Sequence, residues 1–336
     1  MFDQRSIDYL TRFGLGGDEE QQARLAAGMG GIAGWLVPRG SEEGVQLFSD
    51  LAAWTFAFDD ICDEGALHGR PGELAETTVR LLRVLEAPYL PIHGDPFAEA
   101  LRAVRLRLDS LATPVQIGRW IEAMRGSFFV DLYKACNLVR GVTPTLDDFA
   151  YFRLYSGGAL AFPVLTHIVD NIPLPQETWE DRRVRALTEM AASVPTWDSD
   201  IFSYVKESHR SGDGHNLIDA VRVTFGCSPQ EALRKAVALR DRAMCRFLCL
   251  RDEVAAEGDP LLNRYLQSLG HYMRGVLDWG LSTERYRYLD GLSGGTVAFE
   301  SMGVSETPSD DSPEPLPIAS IAWWWKVGTH QDGTKS

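Results

Sequence analysis

Nine stretches of this chain repeat apolar residues at three- and four-residue spacing, and alternating strand patterns are nearly absent. They cover 19–35, 43–65, 75–86, 96–109, 114–140, 145–170, 180–207, 229–256 and 259–284. Breakers fall between them, among them Pro38-Arg39-Gly40, Pro71-Gly72, Gly141 to Pro144, Pro173 to Pro175, Ser211 to Gly214 and Gly258-Asp259-Pro260. Start signals agree: Ser228-Pro229-Gln230-Glu231 puts proline in a first helical turn. The pattern predicts an all-α protein, a single-domain helical bundle over residues 1–290, with no repeat of 30–50 residues.

After about residue 290 the character changes. Residues 291–318 are Gly-, Ser-, Pro- and acid-rich, with SETPSDDSPEPLP at their centre, and the tail 291–336 is expected to be disordered. The tail also carries Trp323-Trp324-Trp325, which reads either as a docking segment or as incidental aromatics.

Composition narrows the function. A net charge of -14 and a pI near 5.0 leave no positive field for a nucleic-acid partner. An acidic protein that takes an anionic ligand needs metal ions and a few placed cations. Five scattered cysteines, with no CxxC pair, read as a reduced cytoplasmic protein. The N-terminus has no signal-peptide core, and no apolar run reaches the ~18 residues of a membrane span.

Two oxygen-rich clusters stand out. Ser199, Ser203 and Glu207 recur every four residues, which stacks them on one helix face as hard donors suited to Mg2+. Far upstream, Asp59, Asp60, Asp63 and Glu64 form a DDxxD or DDxxxE pattern at the end of an apolar, aromatic run. Like charges that close repel, and a cation between them turns that cost into binding. Each cluster alone also reads as an ordinary polar helix face or solvated helix end. Together they suggest chemistry on a diphosphate.

Asp200 to Glu207 reads DIFSYVKE, which resembles the second metal motif of class I terpene synthases, (N/D)D(L/I/V)x(S/T)xxxE. Asp200, Ile201, Ser203 and Glu207 match; Ser199 stands where the family usually has Asn or Asp. Bacterial members resemble this chain further. Their pyrophosphate-sensing Arg lies 46 positions before that motif, and residue 153 here is Arg. Ser156 and Gly157 fall where the family has its linker and its effector carbonyl, at a helix break marked by Gly157-Gly158. Arg285-Tyr286 is similar to the terminal RY pair, and His215-Asn216-Leu217 to a common HN(L/V) segment. Isoprenyl diphosphate synthases carry a second DDxxD, absent here, which favours cyclase over chain elongation.

The resemblance spans about residues 8–290 and implies the class I terpenoid synthase fold. It implies three Mg2+ ions, two held through Asp59 with Asp63 or Glu64, and the third through Ser199, Ser203 and Glu207. Arg153, Lys206, Arg285 and Tyr286 would bind the diphosphate. The implied substrate is a prenyl diphosphate, farnesyl diphosphate giving a sesquiterpene, with geranyl and geranylgeranyl diphosphate as alternatives. A non-catalytic diphosphate-binding relative and a plain helical interaction module remain open, as does a homodimer. Phe56, Phe129 and Trp279 are favoured as cation-stabilising pocket walls because they neighbour motif residues. A short lead before Tyr9 and a weak ligand at Ser199 predict incomplete closure and water capture, giving a terpene alcohol.

Overall fold

The computed structural model describes residues 2–89, 93–209, 214–289, 295–298 and 303–328. All regular elements among them are helices, and the single extended pairing is an isolated bridge between Tyr288 and Val297. No helix among the described residues is long and apolar enough to cross a membrane. The chain divides into two compact units: Met1–Arg140 with Tyr155–Pro173, and Gly141–Leu154 with Leu174–Ser336.

Unit 1 holds α1 (Phe2–Phe13), α2 (Glu19–Ala26), α3 (Met29–Leu36), α4 (Glu42–Asp63), α5 (Pro71–Glu86), α6 (Pro96–Leu111) and α7 (Pro114–Arg140). After α8 (Leu146–Tyr155), a one-turn 3-10 segment (Ser156–Gly158) and α9 (Ala161–Val169) return the chain to this unit. The expected 19–35 helix is two helices, because Gly28 takes a left-handed φ of 77° between them. Helix α1 escapes the periodicity because its buried face is partly polar. Ser6 Oγ donates to Asp50 Oδ1 of α4 at 2.9 Å, and Arg107 of α6 pairs with the same buried carboxylate. A buried charge satisfied from three helices fixes how they pack.

Unit 2 holds most of α8, then α10 (Gln176–Glu180), α11 (Arg182–His209), α12 (Leu217–Phe225), α13 (Pro229–Ala255), α14 (Pro260–Ser282) and α15 (Glu284–Arg287). The start signals act as read: Ser228 and Glu231 form a reciprocal capping box, with Pro229 in the first turn of α13. On α11, Asp198 points away from Ser199 and is gripped by Arg240 of α13, Nε at 2.7 Å and Nη2 at 3.0 Å. That buried fork sets the rotation of α11 about its own axis, and with it the face that carries 199, 203 and 207.

The expected disorder of the tail is corrected for residues 303–328, which pack against α8, α11 and α13 within unit 2. Leu316, Ile318, Ile321, Trp324 and Val327 are buried. The Trp324 indole donates to Glu189 Oε2 of α11 at 2.9 Å, and Arg246 Nε of α13 donates to the Trp324 carbonyl at 3.0 Å. Arg242 pairs with Asp310 at 2.6 Å, and Ser320 bonds Asp147 of α8 through both its N–H and its hydroxyl. The composition is polar, but five apolar anchors and a charge set matched to α13 outweigh the ordering entropy. Trp324→Ala is expected to remove about 3–5 kcal/mol of this docking. Proteolytic cleavage within 303–328 should then accelerate sharply; an unchanged cleavage rate would mean the ion pairs alone hold the segment.

Candidate active site

Helix α4 presents Leu51, Trp54, Thr55 and Phe58 at i, i+3, i+4 and i+7, one face of a helix. This face, with Asp59 one residue further, walls a concavity that is partly open to solvent. Helix α7 contributes Met124, Ser127, Phe128 and Asp131; the rest comes from Gly157, Gly158, Ala161 and Phe162. Trp54 stacks on Phe58 at 5.1 Å, and Phe128 meets both rings edge-on. Both cavity hydroxyls give their protons to their own helix, Thr55 to Leu51 O and Ser127 to Ala123 O. They therefore add little polarity to an apolar, quadrupole-rich space.

Two expected pocket residues are corrected. Phe129 is 64% exposed, because it lies about 100° around α7 from Phe128, which takes the wall. Phe56 is half-buried and outside the cavity; Trp54 and Phe58 occupy the inward face instead. Trp279 belongs to unit 2, where it meets Tyr286 edge-on at 5.4 Å.

The helix break at Ser156-Gly157 is present. Gly157 is left-handed (φ 63°, ψ 26°) inside the 3-10 turn, and Ser156 is buried at its start. A second glycine makes this turn possible from across the unit. A Cβ on Gly126 of α7 would sit 2.2 Å from the Tyr155 ring, so that ring seats directly on the α7 backbone.

The upstream carboxylates occupy distinct settings. Asp59 lines the cavity; Asp63 is held by Lys134 of α7 at 2.7 Å; Glu64 is exposed at the helix end. Asp131 belongs to no motif and escapes a sequence search, yet it lines the cavity beside Asp59. Burial pushes its carboxyl well above the usual range, the charges of Asp59 and Asp63 add to this, and Lys134 opposes it. Its only sequence signal is an acid one turn before Lys134 on α7.

In unit 2 the expected phosphate-binding residues converge. Arg153, in the last turn of α8, forks onto Asp200 of α11, with Nε to Oδ2 at 3.2 Å and Nη2 to Oδ1 at 3.0 Å. Its Nη2 also donates to Thr196 O. Burial pushes the Asp200 carboxyl up, the Arg153 fork pulls it down, and nearby Glu207 raises it again. Lys206 Nζ donates to the Arg285 carbonyl at 3.2 Å. Tyr286 is buried; burial pushes its hydroxyl up, Ser199, Arg285 and Arg153 pull it down, and Glu207 raises it again. Phe202 of α11 seats directly on the α14 backbone, where a Cβ on Gly280 would meet its ring at 2.6 Å.

The donors on α11 fit a hard divalent cation. Ser199, Ser203 and Glu207 offer only oxygen. Ser199 Oγ bonds Pro195 O at 3.1 Å, and Ser203 is buried with its hydroxyl 3.5 Å from Asp200 O. Glu207 Oε2 accepts from Asn216 at 2.9 Å, while no hydrogen bond among the described residues engages Oε1. Among the described residues no three His, Cys, Asp or Glu side chains are grouped to hold a metal ion. A cation here would therefore draw on hydroxyls, water and a bound anion beside a single carboxylate, as Mg2+ commonly does.

Residues 50–246 match the family described as terpene synthase family 2, C-terminal metal binding. The chain is 35% identical to (+)-(1(10)E,4E,6S,7R)-germacradien-6-ol synthase of Streptomyces pratensis, over 97% of this chain and 91% of that enzyme. It is 33% identical to (+)-T-muurolol synthase ((2E,6E)-farnesyl diphosphate cyclizing) of Streptomyces clavuligerus, over 96% of this chain and 77% of that enzyme. Among solved structures, the SVS_A2 protein from ancestral sequence reconstruction superposes with a TM-score of 0.84 at 33% identity, covering 97% of this chain and 93% of that one. A family match over more than half of the sequence, relatives a third identical along nearly all of it and an all-helical architecture shared with them lead to one conclusion: the chain belongs to the bacterial class I terpene synthases.

Proposed function

We propose that this enzyme ionises farnesyl diphosphate and closes the resulting allylic cation into a sesquiterpene. The observation that carries the reading is the cavity of unit 1: its walls are aromatic and aliphatic, its hydroxyls are turned to backbone, and its carboxylates are Asp59 and Asp131. Such a space stabilises a cation through ring faces and offers it few nucleophiles. The substrate rests on the muurolol synthase relative, whose name states farnesyl diphosphate. Both relatives named above form alcohols, which favours, as a second reading, capture of the last cation by water and loss of a proton.

Three Mg2+ ions would neutralise the departing diphosphate, two held through Asp59 with Asp63 or Glu64 and the third through Ser199, Ser203 and Glu207. The C–O bond breaks with its electron pair leaving on the diphosphate. Arg153 supplies a fork already oriented by Asp200, so little reorganisation accompanies the developing charge. Lys206, Arg285 and Tyr286 add donors from the same cluster. Asp63 would exchange Lys134 for its ion. The Gly157 carbonyl, at the left-handed break, is the dipole assigned to the nascent cation.

Incubation with geranyl, farnesyl and geranylgeranyl diphosphate in Mg2+, with volatile products identified, tests this. A cyclic hydrocarbon or alcohol from farnesyl diphosphate is expected. Turnover of only a shorter or longer substrate would replace the substrate assignment. Binding without turnover would make the chain a non-catalytic relative.

A further inference from the structure

We infer that Asn216 is a positioning residue for the metal-binding segment of α11 and acts through Glu207. The inference rests on the metal reading given above. Asn216 is 2% exposed and lies at the start of α12. Its amide makes three bonds at once. Nδ2 donates to Glu207 Oε2 and to the Asp200 carbonyl, each at 2.9 Å, and Oδ1 caps α12 by accepting from Ile218 N at 2.9 Å.

Few other side chains can do this. Two donors and an acceptor on one planar group match two oxygens of α11 and one N–H of α12. Aspartate has no donor; serine and threonine cap but fall short of Glu207; glutamine is a methylene too long. The group is also rigid. Leu217 beside it is fully buried, and the His215 ring packs edge-on against Phe152 at 5.5 Å, next to Arg153.

The consequence is local preorganisation. Glu207 is an exposed side chain near the end of α11, and alone it would sample many rotamers. The bond to Asn216 holds Oε2 and leaves Oε1 available. The second bond ties the same amide to the carbonyl of Asp200, whose carboxylate carries Arg153. One buried residue thus fixes a metal donor relative to the phosphate-binding fork. Partners one step behind a metal ligand typically change affinity about 10- to 100-fold when removed.

The test separates this role from helix capping. Asn216→Ser keeps an equally good cap, so the melting temperature should stay near wild type. Binding of Mn2+ in the presence of inorganic diphosphate is followed by electron paramagnetic resonance, without turnover. Wild type should bind, Glu207→Ala should lose one ion, and Asn216→Ser should weaken binding about 10- to 100-fold. Added to Glu207→Ala, the serine substitution should change nothing further. Wild-type Mn2+ affinity in Asn216→Ser, with Glu207→Ala deficient, would overturn the inference and leave the metal reading intact. So would an equal loss in both backgrounds. Absence of diphosphate-dependent Mn2+ binding by wild type would overturn both. Asn216→Thr, the other hydroxyl cap, serves if the serine variant does not fold.

Discussion

Glu207→Gln and Asp59→Ala should each lower turnover of the preferred prenyl diphosphate by roughly a thousandfold or more, since a lost ion removes several kcal/mol of transition-state stabilisation. Gln is chosen at 207 because its amide oxygen still accepts from Asn216, whereas Ala strands a buried donor at a cost of about 1–3 kcal/mol. Loss of rate in the Gln variant is then a loss of charge on a ligand, with the neighbouring network kept. Asp59 stands at the cavity wall rather than in the core, so its removal should leave the melting temperature within a few degrees of wild type. Near wild-type rates at saturating Mg2+ for either variant would remove that residue from the metal assignment.

Arg153→Lys should reduce the ionisation step by about a hundredfold to a thousandfold, the scale of losing one preorganised donor to developing charge. The structure says why charge alone is insufficient. Asp200 is buried and met by two nitrogens of one planar group, and a third bond reaches Thr196 O. An ammonium is a point charge and cannot keep that geometry. Arg153→Ala should be worse for the fold itself: a buried carboxylate stripped of its partner costs about 3–5 kcal/mol. The lysine variant, read by single-turnover kinetics beside its unfolding midpoint, separates chemistry from stability. Full single-turnover rates in a stable lysine variant would dismiss Arg153 as the sensor.

Much of this was legible in the sequence because it rests on spacing. Helix α11 follows from its apolar period, and Arg153 from its interval to residue 199; its partner Asp200 then lies within the same motif. The left-handed break at Gly157 follows from paired glycines in a helical stretch. Legibility stops where register or distant partners decide. Phe128 and Phe129 are equally aromatic, and only the phase of α7 relative to Met124 and Asp131 sends one inward. That phase was available from the i, i+4 and i+7 positions. Asp131 and Asn216 gain meaning only from side chains 72 and nine residues away, Asp59 and Glu207. The tail was misread because polar composition outweighed five apolar anchors spaced two or three residues apart, whose slot lies on helices far upstream.

The docked tail sets an order of events during synthesis. Asp147 leaves the ribosome 173 residues before Ser320, and Glu189 135 residues before Trp324. At about 5–20 residues per second, the first interval lasts on the order of 10–30 s. Throughout the second interval, the slot for Trp324 on α11 lacks its occupant, while the buried acid Glu189 has Arg185 as a partner. Unit 2 therefore closes late, through contacts of very long sequence separation, which are the slow ones to form. A nascent chain stalled before residue 316 would present the unfilled slot of a buried tryptophan on the same helix that carries Ser199, Ser203 and Glu207.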